Sequence, residues 1–163
     1  MVKKGLQLLG ESPTSMRDNP DLTEDFFKLL QRVLEQCPLV FMELDSSLIC
    51  FEAAISGVLL HHRHSNDCVL MFLQRYVACA KYLKASSEQI MTETPALVEA
   101  IQGHIYKTLE IHGEKLIHNC VLALTGGVPS NLTYDVIELL FEFTCQGKEM
   151  HEAFVRWVHN SPR

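Results

Sequence analysis

Apolar residues recur at steps of three and four along almost the whole chain, which is the period of an α-helix with one buried face. The first clear stripe follows Asn19-Pro20-Asp21, where a capping residue, a proline at the first helical position and an acidic first turn predict a helix start. Pro38 ends this stripe. Further stripes predict helices that begin near residues 47, 65, 95, 113, 130 and 149. Because clean period-two alternation is absent, the pattern predicts an all-α fold.

The segments between these stripes contain turn-forming and polar residues. Residues 1–18 show no sustained period and are rich in Gly, Ser and Pro around Glu11-Ser12-Pro13-Thr14-Ser15, so we expect a loose leader there. A longer polar connection is predicted over Lys84–Glu88, and Gly126-Gly127 and Gly147 are predicted to end helices. The helical array is therefore expected to occupy residues 19–163.

The spacing of the predicted helices indicates a repeat. If consecutive helices pair, the pairs begin near residues 21, 65, 113 and 149, at intervals of 44, 48 and 36 residues. Periods of about 40 to 47 residues with two helices each are typical of HEAT and armadillo arrays. The sequence therefore predicts an α-α superhelix, a HEAT-repeat or armadillo-like solenoid of about seven helices in antiparallel pairs and about three and a half repeats. An irregular helical bundle is the alternative.

Composition narrows the class of protein. With 163 residues, 47% of them hydrophobic and 21% charged, the chain is long enough to bury a core without disulfide or metal staples. Its net charge is -6, whereas a nucleic-acid-binding domain typically has a basic surface. No run of about 18 apolar residues predicts a membrane helix, and the N-terminal apolar stretch is too short for a signal peptide. We expect an intracellular protein with no nucleic-acid or membrane partner.

The cysteines lack the close spacing of a zinc or redox motif. Each falls within an apolar helical pattern, which predicts buried free thiols in a reducing compartment. The six are Cys37, Cys50, Cys68, Cys79, Cys120 and Cys145.

Candidate catalytic and metal-binding groups are sparse. His61-His62-Arg63-His64 with Asp67 and Cys68 is the densest set of potential metal ligands, but it falls in a predicted turn and lacks a second matched pair. A turn is therefore favoured, and a metal-dependent enzyme using this cluster is the alternative. The sequence has no Gly-x-Ser-x-Gly elbow, His-Glu-x-x-His or Gly-x-x-x-x-Gly-Lys motif. We expect no catalytic residues, no metal, no cofactor and no enzymatic activity.

Charged residues divide between the two helices of each predicted pair. Equivalent helices of a solenoid lie side by side, so an excess of acids on the second helices would form one acidic face that attracts basic proteins. An ordinary solvated surface is the alternative. The candidate partner-binding residues are the acids Glu99, Glu138 and Glu142 and the first-helix cations Lys28, Arg32 and Arg75.

Several short segments, in order and spacing, carry a family resemblance. They are Asp18–Leu22 before Phe26–Leu30, Cys37-Pro38, His62-Arg63 before Val69–Leu73, Thr133–Val136, and Phe154–Trp157. Together they resemble the C-terminal region of transportin-SR-like nuclear import receptors of the importin-β (karyopherin) superfamily, over roughly residues 18 to 160.

This resemblance implies a HEAT-repeat superhelix that binds protein cargo, shuttles between cytoplasm and nucleus and is controlled by the Ran GTPase. Family members are several times longer, so Ran would bind through an N-terminal region without a counterpart here. The stretch 21–38 matches an arginine-bearing helix that engages serine/arginine-rich cargo, but Gln36 and Glu43 stand where further arginines are expected. Basic or serine/arginine-rich cargo is implied, and unphosphorylated basic cargo suits the acidic helices better. The alternative is an independent α-helical scaffold without a transport role.

Overall fold

Helices make up almost all of the computed structural model, which describes residues 2–9, 14–90 and 95–161. No strand occurs within these ranges, which confirms the all-α prediction for them. A turn at Ala123–Gly127 and a 3-10 turn at Ser130–Leu132 connect the seventh helix to the eighth. The helices are α1 Val2–Leu9, α2 Ser15–Asp18, α3 Pro20–Gln36, α4 Pro38–Glu43, α5 Asp45–Gly57, α6 Arg63–Ile90, α7 Pro95–Leu122, α8 Thr133–Thr144 and α9 Lys148–Asn160.

The longer helices are arranged in two rows of neighbours. In the first row α6 packs against both α3 and α8, and in the second row α7 packs against both α5 and α9. α6 and α7 also contact each other, so the rows share one apolar core. α6 contributes many of the fully buried side chains of this core, including Phe72, Leu73, Tyr76 and Val77.

Tyr76 joins the aromatic part of this core to α7. Its ring centroid lies 4.8 Å from that of Phe51, and its hydroxyl oxygen lies 2.9 Å from Oγ1 of Thr108. Because the Thr108 hydroxyl donates to the carbonyl of His104, the Tyr76 hydroxyl donates to Thr108. A buried polar group that keeps its hydrogen bond avoids a desolvation cost of about 1–3 kcal/mol, so this bond holds α6 and α7 in register.

The segment expected as a loose leader contains helix in its described part. α1 packs against α3 and α5, Leu9 is buried, and the backbone of Gly5 lies against the ring of Phe26. A helix of eight residues offers too few apolar positions for a period to be recognised in the sequence. Residues 10–13 lie outside the described residues.

Two predicted helix boundaries are wrong. α6 continues through the expected polar connection to Ile90, because the sequence after Leu83 contains good helix formers and neither Gly nor Pro. The expected fourth and fifth helices are one helix, α7, which passes through Gly113 without a break. The start predicted at residue 113 is therefore wrong, as are the intervals of 48 and 36 residues that depend on it, whereas the helix predicted near residue 149 begins at Lys148. The cap at Thr94 lies outside the described residues.

Other boundaries agree with the sequence. α3 begins at Pro20 as predicted, although the side-chain amide of Asn19 donates to the carbonyl of Ser15 at 2.9 Å and does not cap α3. Gly126 and Gly147 have φ values of 110° and 109°, the left-handed backbone that glycine adopts easily where helices end.

The short helix α4 was not predicted, because its six residues are too few to show a helical period after the stripe that ends at Pro38.

The prediction of buried thiols is right for four cysteines and wrong for two. Cys37 and Cys145 are exposed because they lie at helix ends, Cys37 between α3 and α4 and Cys145 directly after α8. Burial raises the pKa of Cys79 from 9.0 to about 11, and it raises the pKa of Cys50 and Cys120 to about 12.

These pKa values predict a loss of stability at high pH. Below pH 9.0 the thiols are protonated in both the folded and the unfolded state, so their contribution to the free energy of unfolding is fully present. Above pH 9.0 the thiols ionise in the unfolded state before they ionise in the folded state, which favours the unfolded state. The free energy of unfolding therefore falls by about 1 kcal/mol per buried thiol at about pH 10. Urea denaturation at about pH 8 and about pH 10 measures this loss, and Cys120→Ala should reduce the difference. Equal midpoints at both pH values would contradict the burial of these thiols.

Candidate functional site

Ion pairs join neighbouring helices at three of the four contacts within the two rows. All three lie near the surface, where such a pair contributes less than about 1 kcal/mol, but each neutralises both of its members. At the fourth contact, between α7 and α9, the described residues form no ion pair. The three pairs are Arg75–Glu35 between α6 and α3, Lys81–Glu142 at 3.2 Å between α6 and α8, and Lys115–Glu52 at 3.3 Å between α7 and α5.

The contact between α7 and α9 opens into a groove of about 550 Å³, which we call the acidic groove. Three exposed carboxylates line it, Glu110 and Glu114 from α7 and Glu149 from α9. Arg156 is the one cation among its described lining residues. The remaining lining residues are Tyr106, Met150, Ala153, Trp157 and Asn160.

The position of the carboxylates is only partly explained by helix stability. Glu149 lies in the first turn of α9, where the helix dipole favours a negative charge. Glu110 and Glu114 lie one turn apart on α7, and like charges at this spacing weaken a helix by about 0.2–0.5 kcal/mol. Because no ion pair within the described chain offsets this repulsion, the pair is suited to a cation from outside.

Aromatic side chains form a fixed floor beneath these carboxylates. Trp157 is only 7% exposed, and its ring fills the space beside Gly113, where a Cβ atom would lie 2.6 Å from Cζ3. Tyr106 donates its hydroxyl hydrogen to the carbonyl of Gln146 at 2.8 Å and accepts a hydrogen bond from Gln102 at 2.9 Å. A Lys or Arg side chain has an apolar stem that suits such a floor and a charged head that suits the carboxylates.

A second groove, of about 430 Å³, lies between α3 and α6 and differs in character. Leu34, Pro38 and Leu83 make its lining mainly apolar, and Tyr82 stands at its side. The ion pair Arg75–Glu35 also lines it, so its principal charges are already neutralised.

Three of the sequence-predicted site residues form ion pairs within the protein. Lys28 pairs with Glu24 in its own helix, and this hydrogen bond raises the pKa of Lys28 and lowers that of Glu24. Arg75 and Glu142 form two of the pairs between helices. These three side chains are less available to a partner than the sequence suggests.

The other three predicted residues are exposed but do not form one site. Arg32 lies on α3, Glu99 on α7 and Glu138 on α8. Glu99 lies on α7 in the second row, whereas Glu138 and Glu142 lie on α8 in the first row, so these acids do not belong to equivalent helices. Sequence reasoning missed Glu114, Glu149, Arg156 and Trp157. The spacing of Glu110 and Glu114 could have revealed one wall of the groove, but the assumed helix break at residue 113 separated them.

The candidate metal ligands have other partners. Nε2 of His61 lies 3.0 Å from the carbonyl oxygen of Gly127, and Nδ1 of His62 lies 2.9 Å from Oγ of Ser65. Asp67 forms an ion pair with Arg63. Across the described ranges, no group of three or more potential ligands converges in a way that could hold a metal ion.

Comparison with known families adds no assignment, since no protein-family model matches this sequence. Within the described part of the chain, every helix is too short or too polar to span a bilayer.

Proposed function

We propose that this chain is the cargo-binding part of a nuclear import receptor of the importin-β superfamily, and that it acts by binding proteins and not as an enzyme. The observation that carries this proposal is the acidic groove, where Glu110, Glu114 and Glu149 lack ion-pair partners within the described chain. The residue-level resemblance over roughly residues 18 to 160 supports the superfamily.

A short solenoid is the architecture that we propose for this function. The contacts support two pairs, α6 with α7 and α8 with α9, and α3 is joined to α5 through the short helix α4; the proposed first helices α3, α6 and α8 neighbour each other, as do the proposed second helices α5, α7 and α9. Neighbouring rows of this kind support stacked helical repeats, in which each repeat contacts only the next. In such an array α7 and α9 are equivalent second helices, so the acidic groove lies between two repeats.

The groove favours a basic segment of cargo that is not phosphorylated. An arginine or lysine head would meet two or three carboxylates, whereas a phosphate group would be repelled by the same charges. The cations of α3 and α6 offer little to a phosphate, because Lys28 and Arg75 are already paired, and among the three only Arg32 has no ion pair with a residue that the structure describes. Affinity for basic cargo should fall as salt rises.

The cellular setting follows from the same proposal. A receptor of this superfamily shuttles between cytoplasm and nucleus, and Ran would control cargo release through a receptor region other than the residues described for this chain. The chain itself contributes the cargo surface.

Affinity capture from nuclear extract tests the proposal. At low salt the folded protein should recover basic or serine/arginine-rich proteins, and the double variant Glu110→Lys, Glu114→Lys should recover much less of them. Recovery of none of these proteins by a folded sample would overturn the transport role and favour the alternative of an independent helical scaffold.

A further inference from the structure

α8 carries a stripe of large apolar side chains that face solvent. Tyr134, Ile137 and Phe141 are 66%, 54% and 63% exposed, and their spacing of three and four residues places them along one side of the helix. The opposite side of α8 is buried against the core through Val136 and Leu139. We call the three exposed residues the α8 stripe. A continuous apolar surface of this kind is typical of an interaction site.

The charge beside the α8 stripe is negative. Glu138 accepts a hydrogen bond from the Tyr134 hydroxyl, which raises the pKa of Tyr134. Partial burial raises the pKa of Asp135, and the nearby carboxylates of Asp67 and Glu138 add to this effect. Arg63 opposes them, but it already forms an ion pair with Asp67. A partner that covers the stripe is therefore favoured if it brings positive charge.

The size of the α8 stripe distinguishes between possible partners. Large apolar side chains more than half exposed offer on the order of 100 Å² each, so the stripe provides roughly 300–400 Å². A stable protein dimer buries about 800 Å² on each partner. Two copies that paired their α8 helices across Ile137 would also bring their Glu138 carboxylates together, which is unfavourable. A single helix from another protein fits both the area and the charge better than a second copy does.

We propose that the α8 stripe binds an amphipathic helix of another protein, with apolar residues at steps of three and four and a lysine or arginine placed to meet Glu138 and Asp135. Recognition of this kind uses the apolar face of the helix for affinity and the flanking charges for specificity. The site lies in the first row of helices and the acidic groove lies in the second, so the two can be occupied independently.

Two labelled helical peptides of about five turns test this proposal by fluorescence anisotropy. Both carry leucines at steps of three and four, and they differ only in having lysine or glutamate beside the leucines. The lysine peptide should bind at least about ten-fold more tightly than the glutamate peptide. Phe141→Ser should weaken its binding by about ten-fold or more, and Glu138→Lys should reduce the preference for lysine.

Ile111→Ser is the matched control, because Ile111 is 66% exposed, close to the 63% of Phe141, but lies on α7. It should leave binding unchanged, and all variants should keep the helical circular dichroism and urea midpoint of the parent. Equal binding by the Phe141→Ser variant, or equal binding of both peptides, would overturn the proposal. Self-association of the parent at micromolar concentration that Phe141→Ser abolishes would also overturn it, since a second copy would then be the occupant.

Discussion

The substitution Gly113→Ala is expected to destabilise the protein by about 2–3 kcal/mol and to loosen α9 from α7. The added Cβ would lie 2.6 Å from Cζ3 of Trp157, a distance that packed carbon atoms do not reach. Trp157 is 7% exposed and packs between α7 and α9, so relief of this clash shifts the ring or α9 and weakens the contact between the two helices. The better helix propensity of alanine recovers at most about 1 kcal/mol.

Urea denaturation and tryptophan fluorescence measure this effect together, because Trp157 is the one tryptophan of the chain. The variant should show a lower midpoint and an emission maximum shifted to longer wavelength, as expected for a more exposed indole. Gly103→Ala is the matched control on the same helix, since a Cβ there meets no atom within 4 Å. It should stabilise the protein by about 0.5–1 kcal/mol. Equal effects of the two substitutions would contradict the packing of Trp157 against Gly113.

Reversal of two charges in the acidic groove is the second change with a large expected effect. Three glutamates and one arginine give the groove two net negative charges, and Glu110→Lys with Glu114→Lys gives it two net positive charges. The affinity for an arginine-rich peptide should fall by about 30- to 100-fold, because two attractive contacts become repulsive. The two lysines repel each other about as the two glutamates did, so α7 itself should remain equally stable.

Fluorescence anisotropy with a labelled arginine-serine peptide measures this loss at low salt. Glu99→Lys is the control, because Glu99 is exposed on the same helix but does not line the groove. It changes the net charge without changing the site, so it should weaken binding by less than about three-fold. If Glu99→Lys weakened binding per charge as much as the groove substitutions, attraction would depend on overall charge and the groove would not be the site.

Local patterns were sufficient to predict much of the helical structure. The stripe after Pro20 and the glycines at residues 126 and 147 mark helix bounds correctly, because caps, prolines and left-handed turns depend on nearby residues. The continuity of α7 could not be predicted in this way. Glycine near the middle of a stripe is compatible with a helix break or with close packing, and only the position of Trp157 on another helix distinguishes them.

The acidic groove depended still more on tertiary structure. The sequence predicts Arg75 and Glu142 to be free surface charges. In the structure each forms an ion pair with a residue of another helix, Arg75 with Glu35 and Glu142 with Lys81. Glu149 reaches the side of Glu110 and Glu114 only because α9 packs on α7. Whether a surface charge is neutralised therefore depends on which helices lie next to each other. The apolar period of a helix does not determine which helices these are.

A titration of Trp157 fluorescence with an unphosphorylated arginine-serine peptide tests most directly whether the acidic groove binds basic cargo. Since this tryptophan lines the groove, binding there should change its emission in a saturable way, with an affinity that falls as salt rises and is much weaker for the phosphorylated peptide. Anisotropy with the same peptides provides the binding curve for comparison. Tight binding that leaves Trp157 emission unchanged, tighter binding of the phosphorylated peptide, or no binding by the folded protein would contradict the account.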